Sequence, residues 1–282
     1  MDIDRFLNGF EGISHFGIQM NEERKAILSN SLVLLKNDNH FSKIFYWGEI
    51  DGVLGSYFIS YGYHRDALRG RQFYYSTNCF EWVLLPKPTP LDMYLSLNFY
   101  VRFQGDPSYG TTIEERIRKK LEKVNDHGDN VLINEGKLKE ENRLAATVHL
   151  INDETAVVPR GAYVKRPNGL IEPNQSFQGL QLIESDDLKS YLHFRSPTQK
   201  WNSNLLTRRD YNYSFDFLDP LDADLPEGQF ILDNSRNGYR LATIRSLTWP
   251  GYYFYHFINT PEYGSMYVGN GRKNLDVPFM LF

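Results

Sequence analysis

The sequence predicts an α+β protein, with N-terminal helices followed by mainly antiparallel β-sheet and short interspersed helices. Three observations carry that expectation. Helical spacing of apolar residues is clearest in residues 1–40. Runs rich in Tyr, Phe, Ile and Val, broken by turn pairs, fill residues 43–85 and 229–269. Between these blocks the pattern gives mostly short or charged helical stretches. A chain of 282 residues has room for one large or two ordinary domains. The expectation is one unit over 1–282, with a helical segment at 1–40, a possible variable insertion at 111–136 and a β-rich part at 229–282.

Ile3, Phe6, Leu7 and Phe10 recur at helical spacing. After a Gly-containing break, Asn21 is a candidate N-cap, followed by Glu22 and Glu23 and by an apolar stripe of Ile27, Leu28, Ser31, Leu32 and Leu35. Residues 43–50 and 53–61 read as strands joined by Asp51-Gly52, a pair that accepts the positive φ of a tight hairpin turn. In the first strand Ile44, Tyr46 and Ile50 fall on one face and Phe45 and Trp47 on the other, so both faces need a cover. Further strands are expected at 72–76 and 80–85, ended by Pro86, Pro88 and Pro90, which have no N–H to give a central ladder. Residues 91–103 fit helix or strand. Thr112-Ile113-Glu114-Glu115 has capping-box form, and Ile113, Ile117, Leu121 and Val124 make a narrow seam on a charged helix; 125–139 reads as loop.

Residues 143–151 and 155–165 suit a hairpin around Asn152-Asp153-Glu154, although the first arm also fits a helix. A short helix is expected at 185–194, with Ser185 as cap and Asp186 and Asp187 complementing its dipole. Residues 195–226 read mostly as loop. Strands follow at 229–233, 239–249, 252–258 and 265–269, the first two joined by the turn pair Asn237-Gly238. In the strand Tyr252-Tyr253-Phe254-Tyr255-His256-Phe257, rings again lie on both faces. Either helices cover one sheet face or that face is an interface.

Composition narrows the function. The single cysteine, Cys79, excludes an intramolecular disulfide and suits a reducing compartment. A net charge of −4 with interspersed signs gives no footprint for nucleic acid, and the longest nearly uncharged run, 246–261, is too short to span a membrane. The acidic opening Met-Asp-Ile-Asp-Arg does not resemble a secretory or transit signal, so the expectation is a soluble intracellular protein, and the Asn-x-Ser tripeptides at Asn174 and Asn212 are set aside as glycan sites.

Catalytic and cofactor motifs are missing. Gly269-Asn270-Gly271 has two of the three glycines of a dinucleotide loop and no helix after it, and there is no phosphate loop. The seven histidines include no i, i+4 pair, and Cys79 has no second cysteine, so neither cofactor nor metal is expected. A competing enzyme or small-ligand reading rests on His193 or His256, or on a concave pocket lined by 252–257. The unusual quantity is aromatic content, 15% of the chain with 19 Tyr and 19 Phe, and tyrosine suits wet interfaces as well as cores. Tyr46, Trp47, Tyr252, Tyr253, Tyr255 and Tyr263 are the candidate partner-interface residues. Trp249-Pro250-Gly251 reads as a buried Trp followed by a turn or bulge.

Many short segments occur in a familiar order. Tyr46-Trp47-Gly48, Tyr75-Ser76-Thr77-Asn78-Cys79 with Glu81-Trp82, and Gly105-Asp106-Pro107-Ser108-Tyr109 come first. Lys139-Glu140-Glu141-Asn142-Arg143-Leu144, Val158-Pro159-Arg160-Gly161-Ala162, Phe177-Gln178-Gly179-Leu180 and Tyr191-Leu192-His193-Phe194-Arg195 follow. Trp249-Pro250-Gly251, Tyr255-His256, Tyr263-Gly264, Tyr267-Val268-Gly269-Asn270-Gly271 and the ending from Lys273 to Leu281 complete the set. In this order the chain resembles the radial spoke head protein 9 family from about residue 33 onward, least over 111–136. The resemblance implies a structural, non-catalytic part in the T-shaped radial spokes of motile cilia and flagella. It also implies partnership with other spoke head subunits of the protein 4 and 6 type, indirect contact with central pair projections, and help in regulating axonemal dynein. No catalytic residue of the family is carried over.

Overall fold

The computed structural model of the chain describes residues 1–112, 137–198, 209–235 and 240–280. The helix expected at 112–124 beyond its first residue, most of the loop at 125–139, Trp201 and the Asn237-Gly238 turn lie outside the described residues.

A 3-10 turn, Ile3–Arg5, leads into α1 (Phe6–Ser14), and α2 (Glu22–Asp38) follows. The Asn21 side chain accepts a hydrogen bond from the Glu23 N–H at 3.3 Å, and two glutamates in the first turn with Lys36 in the last match the helix dipole. Leu28, Ser31, Leu32 and Leu35 are buried. Then come β1 (Lys43–Ile50), β2 (Tyr57–Tyr63), β3 (Gln72–Ser76) and β4 (Val83–Leu84). The ambiguous 91–103 stretch opens as α3 (Pro90–Asn98), because Thr89 and Asp92 form a reciprocal capping box and Pro90 pre-sets φ at the first helical position. The chain continues through β5 (Gly110–Thr112), β6 (Lys137–Lys139), α4 (Glu140–Thr155), β7 (Val157–Pro159), β8 (Tyr163–Lys165) and β9 (Ile171–Pro173). After α5 (Leu182–Ser185) and β10 (Tyr191–His193), the final block is β11 (Phe230–Ser235), β12 (Leu241–Ser246), β13 (Tyr252–Phe257), β14 (Tyr263–Gly269) and α6 (Val277–Met280).

Eight strands form one sheet in the order β11-β12-β13-β14-β1-β2-β3-β4. Each half is an antiparallel meander, and the halves meet where β14 runs parallel to β1 over Gly48↔Tyr267, Glu49↔Val268 and Ile50↔Gly269. The fold is therefore the expected mixture of N-terminal helices, a mostly antiparallel sheet and short helices.

Four local expectations change. The β1–β2 connection is not a two-residue turn; it spans 51–56, because the Val53 and Leu54 N–H groups donate to the Phe103 and Gln104 carbonyls, each at 2.8 Å, and hold the chain away from β2. Trp47 is the extra residue of a bulge, where the β1–β2 register shifts between Tyr46 and Gly48, so Ile50 joins Trp47 rather than Tyr46 on its face of the sheet. The expected hairpin at 143–165 is instead the 16-residue helix α4, whose Leu144, Val148 and Ile151 are spaced to bury one face, while Asn152-Asp153-Glu154 forms its last turn. Ser185 ends a helix rather than starting one: Gln181 and Glu184 cap α5, and a 3-10 turn, Leu188–Ser190, leads into β10.

Helices cover both faces of the sheet. On one side α1 and α2 bury Phe6, Phe10, Leu28 and Leu32 against Ile44, Tyr46, Phe58 and Met266. On the other, α4 packs against Trp47, Ile50, Tyr57, Ile59 and Tyr252. The tight Trp249-Pro250-Gly251 turn hangs on a 1% exposed Trp249, whose indole N–H donates to Glu154 Oε2 at 2.7 Å. Lys273 reaches the other oxygen of the same carboxylate at 2.6 Å and so ties the C-terminal segment to α4. A smaller cluster gathers Tyr63, Leu68, Val158, Tyr163, Leu192 and Phe194 around the β7–β10 and β8–β9 ribbons.

Candidate interaction surface

Four of the six rings expected at an interface lie in the interior of this chain. Tyr46 is 0% exposed and meets Phe6 edge-on at 5.9 Å. Trp47 packs on Tyr267 beneath α4, its ring 5.3 Å away. The Tyr252 hydroxyl accepts the Val157 N–H at 3.0 Å inside the same core. Tyr255 fills a slot lined by Gly9 and Gly12 of α1 and Gly264 of β14, where a Cβ at residue 12 would lie 2.5 Å from the Tyr255 ring. These rings are covered because the chain's own helices close both sheet faces, the first of the two options the sequence left open. Tyr253 is half-buried under Phe16, at 4.5 Å, and Tyr263 is half-buried on the wall of a groove described below.

The two histidines have separate surroundings. His256 is fully buried; its Nε2 accepts the Leu180 N–H at 3.0 Å, so its Nδ1 carries the proton and donates to the Glu262 carbonyl at 3.1 Å. Both ring nitrogens are used in joining three chain segments, which leaves no lone pair for a substrate. Burial pushes the imidazole pKa down to about 4. His193 is 2% exposed, with Nε2 at 2.9 Å from each oxygen of Asp224, beside a cleft of about 440 Å³ that His256 does not line. Its Nδ1 is buried and has no hydrogen-bond partner among the described residues. The histidines therefore do not converge. Among the described residues no group of three His, Cys, Asp or Glu is placed to hold a metal ion, and no helix is long and apolar enough to cross a membrane.

His256 gives a pH prediction. The folded pKa lies below the ordinary 6.5, so between pH 6.5 and 4 the unfolded chain binds more protons. The stability linked to this ring is complete above pH 6.5 and is lost as pH falls toward 4. Urea unfolding is expected to show a loss of about 3 kcal/mol from this ring across that window. His256→Gln keeps one donor and one acceptor and is expected to flatten that part of the profile; an unchanged slope in the variant would refute the assignment.

Cys79 is buried with a positive φ of 65°, and desolvation raises its thiol pKa to about 12, so it is a packing group and not a nucleophile. Its carbonyl accepts from Ser31 Oγ at 2.7 Å, and Ser31 in turn accepts the Trp82 indole N–H at 3.1 Å.

The concave surface lies elsewhere. An open groove of about 1190 Å³ runs between the start of the chain, the ends of β1 and β2, the β8–β9 ribbon and the 174–178 segment. Phe45, Tyr63, Tyr163, Phe177 and Tyr263 supply aromatic walls, with Phe45 stacked on Tyr63 at 6.0 Å and Phe177 edge-on to Tyr263 at 6.1 Å. Arg5, Lys43, Arg65 and Arg166 are the cations lining it. Tyr252 borders a second cavity, of about 40 Å³, and no residue of 252–257 lines the groove, so the groove is not the concave pocket expected over 252–257. Apart from Tyr263 and Phe45, the groove residues were missed because they are scattered along the sequence with no shared spacing.

No family model matches the chain. Over 283 residues it is 41% identical to the radial spoke head protein 9 homolog of Homo sapiens, covering 100% of both chains. It is 41% identical to that of Bos taurus and 39% to that of Danio rerio, again over 100% of both.

Proposed function

Because the chain belongs to the radial spoke head protein 9 family, we propose that it is a non-catalytic structural subunit of the radial spoke head in the axoneme of motile cilia and flagella. In this reading it contributes to spoke head assembly and to mechanical regulation of axonemal dynein by the central pair. Its partners are other spoke head subunits, including those of the protein 4 and 6 type, and its contact with central pair projections is indirect. The observation that carries the reading is similarity over the whole length of both chains rather than over one motif.

The architecture is compatible with a load-bearing part. A sheet of eight strands covered on both faces deforms only by disturbing two packed layers at once. His256, with both ring nitrogens bonded, and His193, paired with a carboxylate, favour packing roles over a shared reaction centre.

Isolating the tagged chain from its native ciliated cells and washing at high salt tests this directly. Retention of spoke head subunits is expected; recovery of the chain with no spoke component and no axonemal tubulin would overturn the proposal.

A further inference from the structure

Resting on that structural role, we propose that the 1190 Å³ groove seats an acidic segment of a partner protein, with carboxylates on Arg5 and Arg65 and at least one apolar side chain against the aromatic walls. Charge is the first argument. Four permanent cations face two carboxylates, Asp2 and Glu172, in a chain whose net charge is −4, so the positive excess is local. Lys43 is paired with Asp2 at 2.6 Å, and Arg166 with Glu172 at 2.9 Å. The exposed Arg5 donates to the Pro261 carbonyl at 3.0 Å, and no carboxylate among the described residues meets it or the exposed Arg65. Two unneutralised guanidinium groups beside a concave aromatic wall are suited to bidentate recognition of carboxylates.

A second observation is independent of charge. Tyr63, Tyr163, Phe177 and Tyr263 line the same groove as one aromatic wall, against which an apolar side chain of the partner segment packs.

The geometry also selects the mode of binding. The nearby ribbon edges are already used, with the Lys165 N–H on the Ser214 carbonyl and the Ala67 N–H on the Ile171 carbonyl, each at 2.9 Å. Recognition is therefore through side chains and not through strand addition. Asp2 and Glu172 on the walls repel a continuous row of phosphates more than carboxylates spaced along a polypeptide, which favours a peptide over nucleic acid or an anionic membrane.

The test uses the full tagged chain in isolated axonemes. Arg65→Lys keeps the charge and adds an amine that a carbodiimide joins to a touching carboxylate as an amide, with the urea as leaving product. The expected result is a cross-link from position 65 to an Asp or Glu within a net-acidic stretch of another polypeptide. Arg5→Glu with Arg65→Glu is expected to reduce that polypeptide's co-purification at least tenfold with an unchanged unfolding midpoint, while Arg69→Glu, outside the groove, has no such effect. A cross-link into a neutral or basic stretch, no cross-link in axonemes that retain the chain, or full retention of the doubly reversed variant would overturn the assignment and leave the spoke head reading intact. Absence of the unmodified chain from axonemes would instead remove that reading. Binding of phosphatidylserine vesicles or a single-stranded oligonucleotide that is lost with the same double reversal would also overturn the peptide assignment.

Discussion

Gly48→Val is expected to prevent stable folding, and Gly48→Ala to cost at least about 3 kcal/mol by urea unfolding. Gly48 has φ 147°, a conformation that L side chains rarely adopt, and a Cβ there would stand 2.0 Å from the Tyr267 carbonyl oxygen and 2.7 Å from the Tyr267 nitrogen. These are backbone atoms of the opposite strand and cannot rotate aside. Relief requires β1 and β14 to separate at the parallel seam, where three residue pairs join the two halves of the sheet. At the other side of the bulge the Met1 amine bridges the same strands, donating to Tyr46 O at 2.7 Å and Ser265 O at 3.1 Å, so the seam is held from both sides of the residue that would be displaced. Wild-type stability and unchanged near-UV circular dichroism in Gly48→Ala would refute this geometry.

Glu140→Ala is expected to lower stability by about 3–5 kcal/mol, and Glu140→Gln by about half as much. The carboxylate is 1% exposed at the start of α4 and accepts from the Gln104 N–H at 2.9 and 2.8 Å, the Gly105 N–H at 2.8 Å and the Tyr57 hydroxyl at 2.7 Å. Burial, and then the carboxylate opposite, push the Tyr57 phenol well above its ordinary pKa, so it stays a donor. Alanine leaves these donors facing a void. Glutamine keeps the shape but turns its own N–H₂ toward at least one of them. Hydrogen exchange should show protection lost at Gln104 and Gly105 before the sheet is affected; retained protection in Glu140→Ala would mean that the carboxylate does not hold that loop. The pair also explains two motifs of the sequence, because Glu140 belongs to Lys139-Glu140-Glu141-Asn142-Arg143-Leu144 and Gly105 opens Gly105-Asp106-Pro107-Ser108-Tyr109. The Glu140 and Glu141 N–H groups add bonds to the Tyr109 and Pro107 carbonyls at 2.8 and 3.1 Å.

Several local signals agree with the structure, although the Asp51-Gly52 turn and the Ser185 cap do not. Asn21 caps α2, β1 runs over Lys43–Ile50 and β3 over Gln72–Ser76, because capping side chains and a period of two act within a few residues. The 143–155 stretch was ambiguous because Asn152-Asp153-Glu154 has turn chemistry; the sheet face that Leu144, Val148 and Ile151 bury decides for helix, and that face is contributed by distant residues. The bulge at Trp47 was not legible either, since it is a property of how β1 pairs with β2 and no residue of β1 signals it alone.

By itself the sequence determined the fold class and the family, the latter through many short segments kept in order. Only the tertiary structure decided which rings meet solvent. Aromatic strands with no polar face require a cover, but the pattern is the same whether α1, α2 and α4 or another protein supplies it. It also decided which residues share the groove, because Arg5, Tyr63, Arg65, Tyr163 and Tyr263 become one surface only when β14 docks beside β1.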